Sequence, residues 1–219
     1  MAVSDECQPK TGIVAAPASG GAGGADAGPR TDDERQLGAL YVEAVKRLRQ
    51  ASAATPDGPV FATPDLDARL LLAEATHSAA GAIHRHSGLS VDPAGAERFA
   101  GFLNRRLAGE PVHRIIGRRA FYEHEFVLSP ETLEPRPETE FLVEVARPLI
   151  DAVIAERGSC LFADVGTGTG AIAVSLLALC PQAEAIAIDI SEGALVTARK
   201  NAQMAGVAAR FMPLLCDHL

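Results

Sequence analysis

The sequence predicts an α/β protein with a small N-terminal helical domain, a β-hairpin linker and a parallel sheet covered by helices. Three observations carry this prediction. Apolar residues recur at helical spacing across residues 31–111, two short extended runs flank Gly117, and strands alternate with helices from Ser159 onward. A chain of 219 residues, of which 47% are hydrophobic, is long enough to bury the core that such a fold needs.

The charge and the cysteine content exclude several classes of protein. The formal net charge of −8 offers no basic surface for phosphates, so we expect no direct nucleic-acid binding. No apolar run reaches the ~18 residues that a membrane helix needs, so we expect no membrane contact. Four cysteines lie far apart and lack the spacing of a metal site: Cys7, Cys160, Cys180 and Cys216. Such cysteine usage is typical of a reduced protein, and we expect a cytoplasmic location and no bound metal.

The N-terminal part is predicted to contain a leader and then a helical domain. Residues 1–30 are rich in alanine, glycine and proline, which predicts a disordered leader. The segments "LGALYVEAVKRLRQA" and "PDLDARLLLAEAT" show helical periodicity and place a helical domain at 31–111. A third helix is predicted to be capped by Asp92, to have Pro93 in its first position, and to end near Gly109.

A β-hairpin linker is predicted over residues 112–136. One extended run contains Ile115–Ile116 and the other contains Phe126. The segment that follows is stiff, because Pro137 keeps the preceding residue out of the helical region. It leads into a partial domain predicted to span 137–219.

Strands and helices alternate in this last domain, in the order "CLFADV", "GAIAVSLLAL", "AEAIAIDI", "EGALVTARKNAQM" and "ARFMPLLCD". Alternation of this kind predicts a parallel sheet with helices on its faces. Strands as apolar as the first two are typical of a sheet that is buried on both sides.

The candidate binding site is the glycine-rich turn between the first strand and the first helix of this domain. Unpaired backbone amides and the helix dipole form an anion site at such a turn. Gly166, Gly168 and Ala171 satisfy the spacing of the dinucleotide fingerprint, and Asp189 lies where a ribose-binding carboxylate belongs. These residues alone fit NAD and S-adenosyl-L-methionine almost equally well.

Two further residues favour the methyl donor. Asp164 precedes Gly166 by two positions, and a carboxylate at the mouth of the turn would repel a pyrophosphate and attract the ammonium group of S-adenosyl-L-methionine. A third glycine, Gly170, permits close approach of a ligand to the backbone. At the end of the third strand, Asp217 is placed to accept a hydrogen bond from the adenine amino group, with His218 beside it to pack on the base.

Four stretches resemble the HemK/PrmC glutamine methyltransferases, which modify peptide chain release factors. They are "LDARLLLAEA", "RRLAGEPVHRIIGRRAFYEHEFVLSPETLEPRPETEFLVE", "DVGTGTGAIAVSLL" and "IDISEGALVTARKNA". Many methyltransferases share the glycine turn. An R-P-E-T-E segment after a G-R-R-x-F-Y hairpin is similar to this family in particular.

The resemblance implies a helical domain that recognises the release factor, joined by a hairpin to a class I Rossmann-like methyltransferase domain. By position, five consecutive residues would line the methyl donor: Gly166, Thr167, Gly168, Thr169 and Gly170. Asp189 would hold the ribose hydroxyls, and Asp217 with His218 would border the adenine. The reaction implied is methyl transfer to the side-chain amide nitrogen of glutamine. Glu134 stands where the family usually has an apolar residue.

The N-P-P-Y motif, which supplies the polar groups for the acceptor amide in this family, does not occur in the chain. The class I sheet order is 3-2-1-4-5-7-6, so the chain is expected to be C-terminally truncated and to supply strands 3-2-1, the first half of the sheet. We therefore expect an apolar, unpaired edge on "CLFADV" and impaired activity, and we assign no catalytic residue. Two alternatives stay open: an N-methyltransferase acting on a nucleic-acid base, and a non-catalytic fragment that binds a nucleoside or NAD.

Overall fold

The computed structural model describes residues 13–14, 36–54 and 61–217. The chain divides into two compact units, Met1–Ile116 and Gly117–Leu219. Among the described residues, no helix combines the length and the apolar character needed to cross a membrane.

The first unit is helical, as the periodicity predicts. Its described strands are β1 (Ile13–Val14) and β2 (Ser90–Val91), and its described helices are α1 (Leu37–Ala54), α2 (Pro64–Thr76), α3 (Ala82–Arg85), α4 (Pro93–Leu107) and α5 (Val112–Ile116). Helix α1 buries Leu37, Ala44 and Leu48, which lie on one face of a 3.6-residue helix. Helix α4 begins as predicted, with the Asp92 side chain accepting a hydrogen bond from a first-turn amide and Pro93 in the first position.

The predicted disordered leader, 1–30, lies almost wholly outside the described residues. Within it, Ile13–Val14 forms strand β1, which pairs antiparallel with Ser90–Val91. The structure therefore differs from predicted disorder at these two residues. They are a β-branched, apolar pair, which suits a strand.

The second unit begins with the predicted hairpin, whose strands are β3 (Arg118–Phe121) and β4 (His124–Val127). The prediction of an extended run at Ile115–Ile116 is wrong, because these residues belong to helix α5. Val112 and Ile115, three residues apart on one helical face, are both buried in the core of the first unit. Burial of that face outweighs the strand preference of the β-branched side chains.

A three-stranded parallel sheet follows the hairpin in the described residues. The short 3-10 turn Pro137–Thr139 leads into the helices and strands of this layer: α6 (Glu140–Arg157), β5 (Cys160–Val165), α7 (Ala171–Leu179), β6 (Ala183–Asp189), α8 (Glu192–Met204) and β7 (Phe211–Leu215). The strand order is β5-β6-β7, so the third strand, the second and the first lie in the predicted order 3-2-1. Both pairs are parallel.

The register of the sheet sets the position of the glycine turn. Val165 at the end of β5 pairs with Ile188, the residue before Asp189 at the end of β6. The loop after β5 therefore lies beside Asp189. On β6, Ala183, Ala185 and Ala187 are fully buried, and their small side chains allow the covering helices to lie close to the sheet.

Strand β5 has an unpaired edge, as predicted, because within the described residues it pairs only with β6. Leu161 and Val165, four residues apart on one face of β5, are 58% and 55% exposed. The expectation of a sheet that is buried on both sides is therefore wrong at this strand. Helix α6 adds an exposed stripe at i, i+4 and i+8, formed by Phe141, Val145 and Leu149.

Candidate functional site

The glycine turn, residues 166–170, connects β5 to the first turn of α7. Gly166, Gly168 and Gly170 have φ angles of +73°, +55° and +79°, in the left-handed region that favours glycine. The amides of Gly166 and Thr167 both donate to the Ile188 carbonyl oxygen, at 2.9 Å each. Backbone hydrogen bonds to the neighbouring strand therefore fix the start of the turn.

The three glycines differ in what surrounds them. A Cβ atom added to Gly166 would meet no atom within 4 Å, and one added to Gly168 would meet only the Gly166 carbonyl oxygen, at 4.0 Å. A Cβ atom added to Gly170 would lie 3.2 Å from the Cβ atom of Ala198 on α8. The open side of the turn is therefore at Gly166 and Gly168. The missing side chain of Gly170 makes room for α8, and a contact between Gly170 and a ligand stays a prediction.

Asp164 belongs to strand β5, and its side chain is buried against the turn. The residue is only 9% exposed, and its Oδ2 atom accepts hydrogen bonds from the Thr167 hydroxyl at 2.7 Å and from the Ala173 amide at 3.3 Å. Burial raises the pKa of the Asp164 carboxyl above its ordinary value, although both hydrogen bonds act in the opposite direction. The carboxylate thus bridges the turn and the first turn of α7, and an additional contact with a ligand's ammonium group stays a prediction.

The raised pKa of Asp164 predicts how stability depends on pH. A buried carboxyl whose folded pKa lies above the ordinary value of 3.8 binds its proton more tightly in the folded state than in the unfolded state. This contribution is complete at low pH and is lost as the pH rises through the folded pKa. We expect the free energy of unfolding of the wild type, relative to Asp164→Asn, to rise as pH falls from neutral to about 4. Urea titrations of both proteins measure it, and a difference that stays constant or falls would contradict the assignment.

Asp189 faces the turn from the end of β6. Its Oδ2 atom accepts a hydrogen bond from the Gly168 amide at 2.8 Å, and its Oδ1 atom accepts one from the Ser191 amide at 2.9 Å. A carboxylate offers about four acceptor positions, so two are left for further donors. Asp189 therefore both holds the turn and retains the capacity to bind hydroxyl groups.

The end of the third strand lies at the same edge of the sheet. The Cys216 amide donates to the Asp189 carbonyl oxygen at 3.1 Å, which brings the chain after β7 close to the turn. Asp217 is exposed and comes next along the chain. His218, the other residue predicted for the adenine, lies outside the described residues.

Two polar contacts were not predicted from the sequence. Asn201 of α8 is buried and donates to the Thr169 carbonyl oxygen of the turn at 2.9 Å. The signal for it is a single asparagine among the mostly apolar residues that α8 buries, three residues after Ala198. Glu134 forms an ion pair with Arg119 of β3, and both side chains are 22% exposed. This partner accounts for a charged residue where the family usually has an apolar one.

Comparison with known proteins covers both units. The PrmC N-terminal domain family model matches residues 39–117, and a methyltransferase domain model matches residues 162–219. An RNA methyltransferase from Salinibacter ruber, solved in complex with S-adenosyl-L-homocysteine, is 27% identical over 39% of this chain and 50% of that chain. Its TM-score of 0.31 is too low to support a structural argument.

Curated relatives named release factor glutamine methyltransferase align with most of the chain. The protein from Agrobacterium fabrum is 42% identical over 175 residues, covering 80% of this chain and 58% of the relative. The protein from Bordetella pertussis is 41% identical over 147 residues, covering 67% and 53%. The protein from Bradyrhizobium diazoefficiens is 38% identical over 177 residues, covering 81% and 59%. The chain thus spans a little over half the length of these relatives, to which it is 38–42% identical.

Proposed function

We propose that the protein transfers a methyl group from S-adenosyl-L-methionine to the side-chain amide nitrogen of a glutamine in a peptide chain release factor. The observation that carries the proposal is a glycine turn open at Gly166 and Gly168 and facing the Asp189 carboxylate. It occurs in a chain whose residues 39–117 match the PrmC N-terminal domain.

The residues present suit an adenosyl nucleoside. The open side of the turn admits close approach to the backbone, and a side chain at Gly166 or Gly168 would fill that space. Asp189 would hold the ribose hydroxyls with its remaining acceptor positions. Thr167, Thr169 and Gly170 complete the turn, and Asp217 with His218 would border the adenine.

S-adenosyl-L-methionine supplies an electrophilic methyl group on a sulfonium sulfur. The acceptor amide nitrogen is a weak nucleophile, because its lone pair is delocalised into the carbonyl. Catalysis must therefore come from positioning of the two reactants and from preorganised polar groups around the amide. The residues proposed here supply the donor side of that arrangement.

The helical unit is the proposed docking surface for the release factor, in keeping with the names of the relatives. We further propose that the protein acts in the cytoplasm. In the described part of the chain, Cys160 and Cys180 are free thiols, which suits a reducing compartment.

Residues 1–219 taken alone should bind the nucleoside but transfer little methyl. They contain no N-P-P-Y motif, and within the described residues one edge of β5 is unpaired.

Transfer of labelled methyl from S-adenosyl-L-methionine tests the proposed function. Residues 1–219 and the full-length relative from Agrobacterium fabrum are incubated in parallel with release factor and with transfer RNA or ribosomal RNA. We expect label on a glutamine side chain of the release factor, located by peptide mapping, and little transfer by residues 1–219. Label in the RNA and none in the release factor would replace the proposal with the nucleic-acid alternative. Transfer by residues 1–219 at the rate of a full-length relative would contradict the expected impairment.

A further inference from the structure

Asn201 is a buried polar side chain that the proposed chemistry does not use. It lies on α8, is 2% exposed, and makes three hydrogen bonds. Its Nδ2 atom donates to the Thr169 carbonyl oxygen at 2.9 Å and to the Val127 carbonyl oxygen at 3.1 Å, and its Oδ1 atom accepts from the Val127 amide at 2.9 Å. The side chain therefore joins the glycine turn to the hairpin through backbone atoms of both.

On the hairpin side, Asn201 acts as a substitute for a neighbouring strand. Strand β4 pairs with β3 through one edge, and Leu128 continues that pairing by donating to the Gly117 carbonyl oxygen at 2.9 Å. The amide and carbonyl groups of Val127 are bound by Asn201 instead. One carboxamide thus satisfies a donor and an acceptor at the free edge of β4.

On the turn side, Asn201 holds one particular peptide group. The Thr169 carbonyl belongs to the same planar peptide as the Gly170 amide, which donates to the Thr167 carbonyl oxygen at 2.8 Å. Rotation of this peptide would break both hydrogen bonds. Ala198, one helical turn before Asn201, packs against Gly170 from the same helix. Helix α8 therefore fixes the end of the turn by a hydrogen bond and by a close packing contact.

We propose that Asn201 is a positioning residue of the donor site, which acts through the Thr169 carbonyl to keep the glycine turn in its binding conformation and couples that turn to strand β4. The proposal rests on the proposed function, because it takes the turn to be the nucleoside site. Coupling of this kind is reciprocal: a ligand that orders the turn also orders the end of the hairpin.

Three variants separate positioning from general stability. Asn201→Ala removes all three hydrogen bonds and leaves a cavity, and Asn201→Leu removes the same bonds while filling most of the space. Val207→Ala is the matched control. Val207 is buried in the same core as Ala198 and Ala202, but it is not bonded to the turn.

Two measurements are made on each variant well below its unfolding temperature. Amide hydrogen exchange of residues 125–128 and 166–170 reports the order of the hairpin and of the turn without ligand. Isothermal titration with S-adenosyl-L-homocysteine reports binding at the turn. For both Asn201 variants we expect faster exchange in both segments and a dissociation constant at least tenfold higher than in the wild type. For Val207→Ala we expect turn exchange unchanged and a dissociation constant within twofold of the wild type.

The outcomes distinguish this inference from the proposed function. Folded Asn201 variants with unchanged turn exchange would overturn the inference, whether or not the wild type binds the nucleoside. Equal losses in Val207→Ala and in the Asn201 variants would also overturn it, since the effect would then follow stability alone. If the wild type does not bind S-adenosyl-L-homocysteine, the proposed function fails, and exchange of the unliganded turn decides the role of Asn201 by itself.

Discussion

Replacement of Asp189 by alanine is expected to weaken the binding of S-adenosyl-L-homocysteine by about 100-fold, equivalent to ~3 kcal/mol. Two losses contribute to this effect. The ribose hydroxyls lose a charged acceptor, and the Gly168 and Ser191 amides lose the carboxylate oxygens that hold them at 2.8 and 2.9 Å. Isothermal titration of residues 1–219 measures the change directly.

Glu184→Ala is the matched control for this substitution. Glu184 lies on the same strand as Asp189, near the opposite end and exposed, so its replacement removes the same formal charge without touching the turn. We expect its dissociation constant to stay within twofold of the wild type. A loss of less than fivefold in a folded Asp189→Ala protein would mean that this carboxylate does not bind the ribose.

Alanine at Gly166 and alanine at Gly170 are expected to have different effects, although the two residues have nearly the same φ angle, +73° and +79°. Each substitution puts an L-residue in the left-handed region, which costs about 1–2 kcal/mol of stability. At Gly170 the new Cβ atom would also lie 3.2 Å from Ala198 and 3.4 Å from Val174. Overpacking of this kind adds about 1–3 kcal/mol, so Gly170→Ala should be the less stable protein.

The loss of affinity for the nucleoside should instead be larger for Gly166→Ala than for Gly170→Ala. The methyl group of Gly166→Ala would project into open space on the side proposed for the ligand, so this variant should lose affinity for the nucleoside while remaining the more stable of the two. Urea unfolding measures stability and titration measures affinity in the same preparations. Equal destabilisation by the two substitutions would show that contact with α8 is not the reason why residue 170 is a glycine.

Much of the second unit follows from local patterns in the sequence. The apolar strands alternate with helices, so the parallel order of β5, β6 and β7 is predictable from topology rules. Asp189 could be placed beside the glycine turn for the same reason, because the carboxyl ends of neighbouring parallel strands meet at one edge. Motif spacing predicts the strand order and the position of Asp189, because both are set by the path of the backbone.

The directions of individual side chains were less predictable. Asp164 was expected at the open mouth of the turn, but it points to the Thr167 hydroxyl and the Ala173 amide. Gly170 was expected to leave room for a ligand, and the space of its missing side chain lies against α8. The Gly170 contact depends on a helix that begins more than 20 residues later in the chain, at Glu192. The direction of the Asp164 side chain depends on the backbone path of the turn, which brings the Thr167 hydroxyl and the Ala173 amide to it. Residue spacing along the chain predicts neither contact.

Contacts outside the local sequence also explain the helix at Val112–Ile116 and the charge of Glu134. Residues Val112–Ile116 form a helix because that helix buries Val112 and Ile115 in the core of the first unit, whereas β-branched residues beside a glycine favour a strand locally. Glu134 is explained by its pairing with Arg119, which lies 15 positions earlier in the chain. In each case the contact that explains the observation lies outside the local sequence pattern.

We propose that the glycine turn binds an adenosyl nucleoside that carries sulfur, and not a dinucleotide. Titration of residues 1–219 with S-adenosyl-L-homocysteine and, separately, with NAD tests this most directly. We expect saturable, one-to-one binding of S-adenosyl-L-homocysteine that Asp189→Ala weakens by about 100-fold, and no binding of NAD over the same concentration range. Binding of NAD without binding of S-adenosyl-L-homocysteine would contradict it.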